Sequence, residues 1–203
     1  MSRRRGIATA SSWSRAAVVA GPLFLAIAAL LVFSVAPTIS GSGAPARIEE
    51  FYSDNGDSNI LLIAEPLALV GMFAFLWLVG RIRTGIAHMD KNESRAVVAF
   101  GGGIAFAVLA GASLIAHTTV AGATAFSSSF QVDVDTAMLF SHFGYVAMAG
   151  AMIGAAVMAF ATVGALRAMG RPALVRATYI VGVLSLIANL FVYAPLRVRA
   201  KIT

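Results

Sequence analysis

Two histidines and one glutamate are the residues of this chain with most chemistry to offer, because each lies inside a long apolar run. His117 falls near the end of Leu114-Ile115-Ala116-His117-Thr118-Thr119, and His142 opens the next run in Leu139-Phe140-Ser141-His142-Phe143-Gly144-Tyr145. Glu65 lies in an earlier run. At a helical rise of about 1.5 Å per residue, the three groups come to a similar depth below the outer ends of their helices. Ser113 shares the face of His117 at i−4, and Tyr145 shares that of His142 at i+3. Asn189 and Tyr193, again four apart, can add polar groups from the last run. The inner halves of these runs carry few polar residues, so the asymmetry points to a polar pocket in one half of a membrane.

Several kinds of chemistry fit such a pocket. A charged acid at the bilayer centre costs about 2.5–3.5 kcal/mol, so Glu65 should face a cavity or a partner, or be protonated. Pro66 follows it and frees a carbonyl within the helix; the competing reading starts the helix here, with Glu65 at the N-cap and Pro66 at N1. For the imidazoles the plainest reading is packing near the headgroups, with Ser141, Thr118 or water as partners. Three sharper readings stand beside it. His117, His142 and Glu65 match the His₂Glu set of catalytic zinc, without the HExxH spacing that usually carries it, so a divalent metal is one possibility. A haem b gripped between His117 and His142 is another, without the paired histidines on each helix that such haems usually show. The third is a Glu–His pair that binds or passes a cationic or polar solute from the outer face. No GxSxG is present, and Asp133 and Asp135 stand in no fixed relation to Ser141. A metal-dependent intramembrane hydrolase is therefore the enzymatic reading that survives.

The frame that positions these groups is hydrophobic. Of 203 residues 59% are hydrophobic and 12% charged, against about 45–50% and 25% in a soluble domain. Several runs reach the roughly 20 apolar residues that cross a bilayer. The composition thus predicts an all-α integral membrane bundle forming a single domain over residues 1–203. Five transmembrane helices are expected, at about 16–36, 60–80, 96–119, 137–169 and 173–194, with outer loops at 37–59 and 120–136. Arg3, Arg4, Arg5 and Arg15 precede the first run, Arg81, Arg83, Lys91 and Arg95 separate the second from the third, and Arg167, Arg171 and Arg176 separate the fourth from the fifth. The intervening loops are acidic, with Glu49, Glu50, Asp54 and Asp57, then Asp133 and Asp135. Alternation of this kind puts the N-terminus in the cytoplasm of a cell whose inner (plasma) membrane holds the chain; Arg197, Arg199 and Lys201 then lie outside, against the rule. Spreading the bases over separate loops argues against a nucleic-acid partner. No cysteine is present, which removes disulfides and thiolate ligands.

Between the runs, Ser2-Arg3-Arg4-Arg5 has a faint twin-arginine look before a run long enough to be a signal anchor. Pro45 to Tyr52 reads as a short interfacial helix with Ile48, Phe51 and Tyr52 on one side. Asp54 to Asn59 reads as a turn, since the spacing and closing glutamate of an EF-hand are missing. His88 reads as a solvated loop residue without a role. Gly101-Gly102-Gly103 lacks the residues of a phosphate loop and suits close helix packing. Asp135 or Thr136 can cap the fourth helix. Gly150 and Gly154 in that helix, backed by Gly144, Ala147 and Ala151, permit close packing either internally or with another subunit, in a homo- or hetero-oligomer.

Phe51-Tyr52-Ser53-Asp54-Asn55, the apolar stretch ending Phe75-Leu76-Trp77-Leu78, the basic loop after it and Ala99-Phe100-Gly101-Gly102-Gly103 resemble a group of uncharacterised small multi-helix membrane proteins from bacteria. The resemblance covers residues 45 to 115, implies a bacterial inner-membrane protein and carries over no activity and no role for the histidines. The leading functional expectation is a non-enzymatic membrane protein that binds a small ligand, ion or cofactor through Glu65, Ser113, His117, His142, Tyr145, Asn189 and Tyr193. The competing expectation is an accessory subunit of a larger membrane complex.

Overall fold

A computed structural model describes the backbone of residues 21–36, 43–53, 55–90, 93–127 and 131–198; side chains at 53, 55–59, 89–90 and 190–198 are outside the description. The N-terminal arginines, Asp54 and the side chains of residues 55–59 and of Tyr193 therefore fall outside it, while the backbone of 55–59, expected as part of a turn, is helical. Every regular element described is helical: α1 (Gly21–Val35), α2 (Ala44–Ser53), α3 (Asn55–Asp90), α4 (Glu93–Phe126), α5 (Val134–Ala168) and α6 (Pro172–Val198). Four of them, α3 to α6, are long and apolar enough to cross a membrane, and α1 is a shorter apolar helix.

Helix ends depart from the sequence reading. α3 begins at Asn55 and runs through Glu65 and Pro66, so it does not start at that pair. α4 continues to Phe126, beyond Thr119, because Val120 to Phe126 contains no proline or charge to stop it and Val120 and Ala121 are buried. At 34 residues α4 is about 51 Å long, well beyond the roughly 30 Å of hydrocarbon, so it tilts or projects. Asp133, and not Asp135 or Thr136, caps α5: its carboxylate accepts from the Thr136 amide at 3.0 Å and from the Thr136 hydroxyl. Gly170, with φ +63°, ends α5, and the Gly170 amide reaches Arg167 O at 3.0 Å.

Small residues set the helix spacing. A Cβ on Gly154 of α5 would lie 2.7 Å from Phe106 N and 2.9 Å from Gly102 O of α4. The Gly150–Gly154 face is thus turned to the chain's own α4. α1 approaches α3 in the same way, a Cβ on Gly21 falling 2.6 Å from Phe75 N. Among α2 to α6, α6 packs on α5 alone.

Two ends can be distinguished. The basic end carries Arg81, Arg83, Arg95, Arg167 and Arg171; the acidic end carries Glu49, Glu50, Asp133 and Asp135. At the acidic end α2 lies across α3, α4 and α5. Ile48, Phe51 and Tyr52 form its buried face, in one cluster with Val32, Leu61, Val120, Ala121 and Ala137. An apolar face on one side and charges on the other is what lets so short a helix close the end of a bundle.

Candidate functional site

His117 is the centre of the polar group that the fold assembles. Its side chain is only 3% exposed, on the face of α4 that packs against α5. Nδ1 lies 2.8 Å from Ser113 O. A carbonyl oxygen can only accept, so Nδ1 carries a proton, and in the neutral ring Nε2 becomes the acceptor. That Nε2 is buried and has no hydrogen-bond partner among the described residues, and neither has Oγ of Ser113, one turn away on the same face. Most buried polar atoms in native structures are paired, so two orphans on one turn set this part of α4 apart.

Three neighbours shape the cell around the ring. Gly144 of α5 gives it a flat floor: a Cβ there would fall 2.2 Å from Cε1 and 2.3 Å from Nδ1 of His117. Tyr145 meets the imidazole edge-on at a centroid distance of 5.0 Å and 88°. Phe33, contributed by α1, does the same at 5.2 Å and 71°. Phe33 was not predicted from the sequence, where an aromatic in an apolar run looks like any lipid-facing residue. Gly144 was visible only as part of a small-residue stripe.

The remaining expected members are less closely gathered. His142 is half-buried, and its Nδ1 donates to Met138 O at 2.8 Å, which makes Nε2 the acceptor in the neutral ring. Tyr145, one turn further along α5, is the residue that meets His117 instead. Glu65 is half-buried on the flank of α3 that also carries Met72 and Val79. Those two residues abut Gly111 and Gly103 of α4, so by register Glu65 comes level with Thr118, beside His117 in depth. No ion pair joins it to either imidazole among the described residues, and no three His, Cys, Asp or Glu residues there are disposed to hold a metal ion. His117, His142 and Glu65 therefore do not form the expected His₂Glu cage. Asn189 does not reach the cell. Its amide Nδ2 donates to Ala149 O at 2.5 Å, which fixes α6 to the far side of α5.

Comparison of the chain with protein-family models, with curated proteins and with solved structures finds no match.

Proposed function

We propose that the chain is a plasma-membrane protein of five crossings, its basic end in the cytoplasm, that binds a small solute at His117 in the outer half of the bundle. The observation that carries this reading is the buried pair of unpartnered atoms, His117 Nε2 and Ser113 Oγ. With Nδ1 held by Ser113 O, the ring offers a lone pair, and the serine offers a hydroxyl that both donates and accepts. Together they suit a small molecule with an O–H or N–H donor, such as an alcohol or an amine. The tight walls of Gly144, Phe33 and Tyr145 favour such an occupant over a haem plate held between His117 and His142. Glu65, level with the ring, would supply negative charge nearby for a cationic solute. α2 closes the acidic end and would have to lift for entry from that side.

Native mass spectrometry from a mild detergent, with an absorption spectrum of the same sample, tests the proposal. The expected result is a small retained mass that is lost in His117→Phe, and no Soret band. Bare chain mass in both proteins would contradict a bound solute, and a Soret band that vanishes in His142→Ala would replace it with haem.

A further inference from the structure

The geometry points to a second site, at the basic end, for the phosphate of an anionic phospholipid, between Arg81 and Arg83 of α3 and Phe100 of α4. It does not depend on the reading of His117. A cavity of about 570 Å³ opens there, lined among others by Trp77, Arg81, Arg83, Thr84, His88 and Phe100, with no acidic residue among the described residues of its wall. Positions 77, 81, 84 and 88 follow the helical repeat, so one face of α3 delivers most of the polar groups. The guanidinium of Arg83 sits over the Phe100 ring with its Cζ 5.2 Å from the centroid. That contact holds the flat cation against the wall and leaves its N–H edge for a ligand. His88, expected to have no role, donates from Nδ1 to Thr84 O at 2.7 Å and so keeps Nε2 available. No carboxylate among the described residues pairs with Arg81 or Arg83.

What favours a lipid over a free phosphate is the continuation of the same face. Leu76 and Trp77 line the cavity, and Phe73, 75% exposed, extends the strip one turn further toward the middle of the bundle. An acyl chain would lie along that strip, with Trp77 at the level where its amphipathic ring meets headgroups. Basic recesses between transmembrane helices recognise anionic headgroups in this manner.

Native mass spectrometry in a neutral detergent, with phosphatidylglycerol, phosphatidylcholine or inorganic phosphate added separately, tests the site. Phosphatidylglycerol should be retained over phosphatidylcholine, and inorganic phosphate should not displace it at equal concentration. Arg81→Gln with Arg83→Gln should weaken retention about tenfold or more, while Arg171→Gln, an exposed arginine at the same end outside the cavity, should leave it unchanged. Arg83→Gln alone, expected to give part of the loss, keeps the test open if the double variant fails to fold. Equal retention of phosphatidylcholine, undiminished binding in the arginine variants, or displacement by inorganic phosphate would overturn the assignment.

Discussion

The imidazole of His117 is held by its neighbours as well as by its own hydrogen bond. Gly144 is the most sensitive of them, because a methyl at that position would overlap Cε1 and Nδ1 of the ring. Gly144→Ala should turn His117 out of its rotamer, destabilise the protein by about 1–3 kcal/mol and abolish any occupant of Nε2. Thermal unfolding together with the retained mass reads both effects. Glu65→Gln should behave differently. Since no ion pair joins Glu65 to His117 or His142 among the described residues and an unpaired charge within the bilayer is costly, neutralising it should leave the unfolding temperature unchanged or raise it. The histidines and the glutamate are legible in the sequence because polar groups are rare in apolar runs. Their partners are not, because Phe33 and Gly144 carry no signal beyond hydrophobicity and small size.

At the scale of elements, the two short structures at the acidic end have titratable groups that report on them. Burial of Tyr52 pushes its phenol up to about 12, so the neutral form is the one that α2 buries. The stability this contributes is complete below the unfolded value near 10 and is lost as pH rises through the range up to 12. Phenolate absorbance of Tyr52 should therefore appear late on raising pH, together with release of α2; titration near pH 10 with α2 still docked would contradict its burial. Asp133 runs the other way. Its hydrogen bonds from Thr136 hold its carboxyl below the usual value, so the cap is present at neutral pH and fails as pH falls through that lowered value. Asp133→Ala should speed amide exchange in the first turn of α5 and remove that acid sensitivity. The cap was mislaid in the sequence because Asp133, Asp135 and Thr136 all qualify by type, and only the path of the loop chooses among them. The apolar face of α2, by contrast, was plain from the spacing of Ile48, Phe51 and Tyr52.

For the whole molecule, helix identity was far more legible than helix arrangement. Apolar runs mark the membrane-length helices whatever their packing. That α6 touches α5 alone among α2 to α6 goes with contacts such as Asn189 with Ala149 O, which no periodicity reveals, and it is why Asn189 lies away from His117. The α4–α5 seam is the most demanding contact, since backbone approaches backbone at Gly102 and Gly154. Gly154→Leu should drive these helices apart and destabilise the bundle by more than about 2 kcal/mol, seen as a lowered unfolding temperature in detergent. The proposed orientation can be read directly, because the chain has no native cysteine. In intact cells a membrane-impermeant thiol reagent should label Asp135→Cys and spare Arg171→Cys, and the reverse pattern would invert the topology.

The comparison of Ser113→Ala with the native protein in thermal unfolding is the most direct test of a partner at this turn. The change keeps the carbonyl that holds Nδ1 of His117, adds no bulk and removes a buried hydroxyl, which is neutral or stabilising where nothing is bound, whereas it forfeits the bond where a partner is present. A clear fall in unfolding temperature is predicted, and an unchanged or higher one would mean that Ser113 and His117 are packing residues and nothing more.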